Sequence, residues 1–166
     1  MIELRPVTPA DMEFVFNVRN IPDIVKLSSS QRFVTWDEHN RWYKQLLKRS
    51  ADCRAFIVVK NEKDIGTLRF ERNGSGADAV ISIYLIPGFP GRGIGVTAIN
   101  LGCERVFALW PNVRAVVAVV RRENEFGRRA FVKAKFVEEQ NRATPSEYVL
   151  VRWRPLANSF DGRGAG

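Results

Sequence analysis

The sequence has a single histidine, His39, and two cysteines, Cys53 and Cys103, fifty residues apart. A zinc site built from clustered Cys and His ligands is therefore excluded. The two thiols read as small buried apolar side chains rather than as a disulfide. No apolar run reaches the ~18 residues of a membrane span. Glu3, Arg5 and Asp11 interrupt the start where a signal peptide would carry its apolar segment, so a cytoplasmic location is expected by default. Acidic residues are scarce beside basic ones, 18 against 26, giving a net charge of +8 and a pI near 10.0. Such a balance suits nucleic acid, an anionic membrane surface or a polyanionic small ligand. The arginines cluster at Arg121-Arg122, Arg128-Arg129 and Arg152 to Arg154, without any recognition-helix, RNP-like or zinc-finger pattern. Nucleic acid is thereby disfavoured, and a basic solvated surface accounts for most of the excess. No repeat or linker divides the 166 residues, so one domain is expected over 1–156. The small, polar stretch 157–166 reads as a disordered tail.

What the chain does contain is one stretch around which the rest is organised, Ala79 to Leu109. Val80 to Ile86 is apolar, β-branched and aromatic, and reads as a buried strand. Pro87 and Pro90 stop it, because neither can donate to a ladder. Gly91, Gly93 and Gly95 follow around Arg92, and then Val96, Ile99, Cys103, Val106 and Phe107 recur at helical spacing. A glycine-rich turn opening a helix presents free N–H groups and the positive end of the macrodipole, which suits a phosphate. A P-loop fails, because Val96-Thr97 stands where Lys-Ser/Thr is required. Gly93 to Ala98 fits G-x-G-x-x-G/A, but Pro87 to Pro90 separate it from its strand. The next strand, Ala115 to Val120, also lacks the acidic residue of a dinucleotide site. A glycine turn with no ligand remains the bland alternative.

Taken in order, Ile2 to Arg5 reads as an edge strand. Thr8 and Pro9 open a first helix, which Pro22 breaks after Asn20. Val25 to Phe33 reads as an irregular loop or short helical turn. Thr35-Trp36-Asp37-Glu38 is a capping box for a second helix reaching Arg49. Arg54 to Lys60 and Ile65 to Arg72 form a hairpin around the polar turn Asn61 to Asp64. After the glycine-opened helix come a strand at Val113 to Val120, a helix from Asn124 to Lys135, and strands at Phe136 to Gln140 and Glu147 to Arg154. This order suits an α/β sheet of six or seven strands with helices on both faces.

Two segments in this frame resemble the GNAT superfamily of N-acetyltransferases. Tyr84 to Ile99, YLIPGFPGRGIGVTAI, is similar to its acetyl-CoA-binding segment, and Asn124 to Phe136, NEFGRRAFVKAKF, to its Asn-x-x-(small)-x-Arg-x-Tyr-x-Lys-x-Gly-Phe helix. The resemblance implies a mixed, mainly antiparallel sheet splayed between Val80 to Ile86 and Val113 to Val120, with acyl-CoA entering the gap. It implies transfer of acetyl from acetyl-CoA to a primary amine, with no metal, in a monomer or homodimer. Amides of Arg92, Gly93, Ile94, Gly95 and Val96 would hold the pyrophosphate. The backbone of Ile83, Tyr84 and Leu85 would pair with pantetheine and supply the oxyanion donor. Asn124 would bond pantetheine or simply cap its helix, Arg128 or Arg129 would reach the 3′-phosphate, and Phe131 would line the site.

Three positions depart from the family pattern: Pro90 for a polar residue, Lys135 for glycine, and Phe131 for the tyrosine credited with protonating the leaving thiolate. A phenyl ring has no proton to give, so Tyr84, Tyr148 or water would act instead. For the base, Asp78, His39, Glu71 and Glu123 are candidates; the two glutamates, flanked by arginines, read as surface pairs. The acceptor side would come from the first two helices. Arg19-Asn20 followed by Thr-x-x-x-His-x-x-Trp is similar to the branch acting on nucleotide-linked aminosugars, such as pseudaminic-acid-type enzymes, and less closely to that acting on protein N-termini. Trp36, His39, Trp42 and Tyr43 offer rings for stacking, and Arg19 and Arg41 offer charge for a diphosphate. The competing reading makes Trp36, Tyr43 and Leu47 a stripe packed on the sheet. A CoA-binding module without catalysis and a basic nucleic-acid domain are the other function classes.

Overall fold

Alternating apolar and β-branched residues set the strands, and helical spacing sets the segments that cover them. The computed structural model describes residues 1–89 and 93–157. Its strands are β1 (Ile2–Pro6), β2 (Cys53–Lys60), β3 (Lys63–Arg72), β4 (Asp78–Leu85), β5 (Ala115–Arg121), β6 (Val137–Glu138) and β7 (Glu147–Trp153). Its helices are α1 (Met12–Arg19), α2 (Pro22–Leu27), α3 (Trp36–Lys48), α4 (Ile94–Leu109) and α5 (Glu125–Lys133), with 3-10 turns at Pro9–Asp11 and Gln140–Arg142. One seven-stranded sheet runs β1-β2-β3-β4-β5-β7-β6, with β4–β5 parallel and the other pairs antiparallel. The mixed, mainly antiparallel sheet is as expected. Arg92 and the stretch 158–166 lie outside the described residues.

Local departures from the sequence reading have local causes. The β2–β3 turn shrinks to Asn61-Glu62, at φ 48° and 65°, because two left-handed residues match the twist of a hairpin. Ile65 becomes the extra residue of a bulge where Val58 pairs with Gly66 and Val59 with Asp64. Pro22 does more than break a helix: it stands at the first position of α2, where its missing N–H costs nothing. The segment after α5 loses most of its expected strand. Lys135 turns left-handed at φ 69°, its N–H donates to Val132 O (3.1 Å), and the Phe136 N–H donates to Phe131 O (3.0 Å). This is a Schellman stop, completed by the edge-on contact of Phe131 and Phe136 at 5.0 Å. Lys135 holds a conformation that the family's glycine adopts without strain.

The sheet is covered on both faces. α1 and α3 lie on one, over Val15, Tyr43, Leu46, Cys53 and Ile57. α4 and α5 lie on the other, where Leu68, Phe70, Ile81, Ile99, Val116 and Leu150 belong to the main core. Tyr43 is fully buried, and its hydroxyl donates to Thr8 O at 2.6 Å, which ties α3 to the chain leaving β1. Burial raises its pKa to about 12. Burial likewise raises the Cys53 thiol to about 11 and the Cys103 thiol to about 12. Both stay protonated at neutral pH and poorly nucleophilic.

Candidate active site

The parallel pair β4–β5 creates the site by failing to continue. Its rungs run only from Asp78↔Ala115 to Val80↔Val117. From Ile81 to Leu85, β4 keeps β3 on one edge and, among the described residues, has no strand on the other. A cavity of about 240 Å³ fills the divergence, lined by Ile81 to Leu85 and Val119 to Arg121, with Gly95, Asn124 and Phe131. Alternate backbone polar groups of β4 therefore meet this cavity instead of a ladder, as on an edge strand. An extended ligand with amides along its length fits that edge.

At one end of the cavity stands the start of α4. Gly93 is its N-cap at φ +68°, and the first intrahelical bond runs from Thr97 N–H to Gly93 O at 2.9 Å. The N–H groups of Ile94, Gly95 and Val96 precede it and have no partner within the helix. Among the described residues, a Cβ on Gly93 would meet nothing within 4 Å, and one on Gly95 would reach only Leu85 Cδ1 at 3.6 Å. The space that side chains leave open there suits a phosphate at the positive end of the helix dipole.

A second cavity, about 360 Å³, opens on the α1/α3 face of the sheet; Arg19, His39, Trp42, Arg69, Ser82 and Tyr84 are in its wall. Ser82 and Tyr84 line both cavities. The two spaces thus meet at two side chains that project from the same face of β4.

The expected site residues divide by where these cavities lie. Ile83, Tyr84, Leu85, Gly95, Asn124 and Phe131 line the first; Arg19, His39, Trp42 and Tyr84 line the second. Asn124 Oδ1 accepts the Gly127 N–H at 2.9 Å, so it caps α5 as well as facing the cavity. Asp78 stands at the closed end of β4, 3.8 Å from Arg142, and lines neither cavity. Tyr148 is set under the guanidiniums of Arg122 and Arg128, at 4.4 and 5.2 Å from its ring, and lines neither. Arg128 is bound to Glu138 and Glu125. Arg49–Glu71 and Arg121–Glu123 are ion pairs at 3.4 Å. Asn20 exchanges two hydrogen bonds with the Val34 backbone, 2.9 and 2.8 Å, and holds a loop. Trp36 lies outside the cavity, 43% exposed, edge-on to Phe16 at 5.1 Å. Arg41 is exposed; Arg32 and Arg69, which no sequence pattern singled out, line the cavity in its place.

His39 is only 2% exposed. Its Nε2 donates to Met12 O at 2.8 Å, which fixes the neutral tautomer. Burial lowers its pKa, with the Met12 carbonyl opposing. A lowered folded pKa means that the unfolded chain binds the extra proton more readily. Stability is then complete above the unfolded value of ~6.5 and falls as pH drops below it. Urea melts of the parent should lose stability as pH falls below about 6.5, and His39→Gln should flatten that slope; an equal slope in both would assign it to other groups.

A family model described as an acetyltransferase (GNAT) domain matches residues 2–137. The chain belongs to the GNAT acetyltransferase family. No curated protein sequence matches it, but its fold is shared with solved structures. An aminoglycoside acetyltransferase AAC(6′)-Ib bound to coenzyme A and kanamycin superposes at TM-score 0.79 with 18% identity, over 93% of this chain and 95% of that one. The spermidine N-acetyltransferase of Vibrio cholerae with CoA and spermine gives 0.77 and 22%, over 92% and 95%. RimL, a ribosomal L7/L12 alpha-N-protein acetyltransferase with coenzyme A, gives 0.77 and 14%, over 92% and 93%. The described residues include no cluster of His, Cys, Asp and Glu able to hold a metal ion.

Proposed function

We propose that this GNAT protein moves acetyl from acetyl-CoA to a primary amine by direct attack, and that the acceptor is a nucleotide-linked aminosugar. The observation that carries the transfer is the meeting of two cavities at Ser82 and Tyr84. Acetyl-CoA supplies an activated thioester. The amides of Ile94, Gly95 and Val96 hold its pyrophosphate, and the free edge of Ile83 to Leu85 pairs with its amide-bearing arm. A backbone N–H on that edge also stabilises the oxyanion formed on attack. The amine arrives from the α1/α3 side.

Tyr84 is the tyrosine at the junction, and in our reading its hydroxyl protonates the departing thiolate. Phe131, 6% exposed, has no hydroxyl to contribute. On the acceptor side, His39 is committed to a carbonyl and Asp78 is remote. Glu38, the one carboxylate in the cavity wall among the described residues, is held by Arg32 and the Thr35 N–H. Cavity water therefore takes the amine's proton. Tyr84→Phe should lower kcat by about tenfold to a hundredfold with acetyl-CoA affinity nearly unchanged, and Phe131→Tyr should keep or raise activity. Equal turnover in Tyr84→Phe and the parent would leave thiolate protonation to water.

The structural neighbours carry kanamycin, spermine, or the name of a protein substrate. The first two are polycations at neutral pH, whereas the described residues of the wall here include Arg19, Arg32 and Arg69 against Glu38 alone. Trp42 adds a ring on which a base or sugar can stack. A protein N-terminus is the second reading, favoured by the likeness to the alpha-N-protein enzyme. Thiol release from acetyl-CoA over a panel of nucleotide-linked 4-amino sugars and N-terminal peptides decides between them. Turnover on peptides alone overturns the aminosugar acceptor, and no turnover on any amine reduces the protein to a CoA-binding module.

A further inference from the structure

We infer that the acceptor-side cavity contains a built site for an anionic group, phosphate or carboxylate, held by Arg19 and Arg69, and that this site selects the acceptor. The inference deepens the acetyltransferase reading and rests on it for the identity of the acceptor. Arg19 ends α1. Its Nη2 donates to Ser30 Oγ at 2.9 Å, while its Nη1 is buried without a hydrogen-bond partner among the described residues. Its guanidinium lies 6.0 Å from the centre of the Tyr84 ring. Arg69, on β3 opposite Ser82, stacks its guanidinium 5.0 Å over the Trp42 ring.

Neither arginine has a carboxylate within ion-pairing distance among the described residues. Arg32, in the same wall, differs: it is paired with Glu38 at 3.2 Å. A buried guanidinium N–H left without an acceptor is costly; Arg54 Nε, Arg72 Nε and Arg121 Nε are also buried without one among the described residues, but of the four only Arg19 lines this cavity. Here the cost recurs at a cavity wall, on a side chain held in place by Ser30. The same loop is anchored by the Asn20 bonds to Val34. A bound anion completes the unmet donor of Arg19 and supplies the missing countercharge for both guanidiniums. Polycationic amines meet the opposite sign and are rejected.

The anion is distinct from the phosphates of CoA, whose cradle at α4 lies on the other cavity. The test therefore uses protein already saturated with CoA. Calorimetric titration with inorganic pyrophosphate, and separately with succinate, is compared in the parent, Arg19→Gln, Arg69→Gln and Arg41→Gln. Binding of pyrophosphate is expected, weakened at least about tenfold in Arg19→Gln and Arg69→Gln and unchanged in the exposed Arg41→Gln. Succinate binding with the same variant pattern and no pyrophosphate binding keeps the site and makes its ligand a carboxylate. Binding of neither anion, or equal affinity in all variants, overturns the inference. CoA affinity in each variant reports that the fold is intact. Failure of acetyl transfer with anion binding retained would count against the enzyme reading alone.

Discussion

Gly95→Glu is expected to abolish acetyl-CoA binding, raising Kd at least about a hundredfold, while the melting temperature holds or rises. Gly95 is the second residue of α4 and lines the cavity between β4 and β5. A Cβ there makes only ordinary contact with Leu85, so the fold has room for a side chain. Glutamate is a better helix former than glycine, and a carboxylate in the first turn complements the dipole; each effect is worth about 0.3–1 kcal/mol. The same carboxylate fills the space a pyrophosphate would take and repels it. Stability and binding thus move in opposite directions, which a simple unfolding effect cannot imitate. Gly93→Glu is the poorer probe, since its φ of +68° adds about 1–2 kcal/mol of backbone strain. Titration calorimetry and a thermal melt on Gly95→Glu together check the point. Unchanged affinity would move the phosphate site away from α4.

Much of the β4–α4 junction is legible in the residues, because it depends on local chemistry. Proline, glycine and apolar spacing mark the end of β4 and the start of α4. The Thr35–Glu38 capping box opens α3 as its spacing suggests, with both bonds made at 3.3 and 3.1 Å. The gap between β4 and β5 is different. Periodicity marks both strands but not where their pairing stops, so only the resemblance to GNAT proteins points to it. That is also why Asp78, on the correct strand, stands at the wrong end. Arg69 is hidden for a related reason: it reaches the cavity through its cross-strand position opposite Ser82, which β3 alone does not reveal. On α3 the buried stripe is His39, Tyr43 and Leu46 rather than Trp36, Tyr43 and Leu47. The helix is turned so that Trp36 stays exposed and Trp42 flanks the cavity.

Gly66→Ala is expected to cost about 2–3 kcal/mol and to lower the melting temperature by about 5–10 °C, although it adds a single methyl group. Gly66 sits beside the β2–β3 bulge and pairs with Leu85 across β3–β4. A Cβ on it would press into the Tyr84 carbonyl oxygen and come within 2.7 Å of Leu85 Cδ2. The leucine side chain can rotate away, but the carbonyl belongs to the strand and moves only if β4 moves. Glycine here is a close-approach residue, not a flexible one. Because the displaced segment is the edge that faces the cavity between β4 and β5, acetyl-CoA should bind more weakly as well. Gly74→Ala is the matched control: its Cβ would meet nothing within 4 Å, and both readouts should stay at the parent's values. Should Gly66→Ala melt with the parent and bind acetyl-CoA equally, β4 yields at Tyr84. The free edge would then have to be shaped by the ligand rather than presented ready-made by β3.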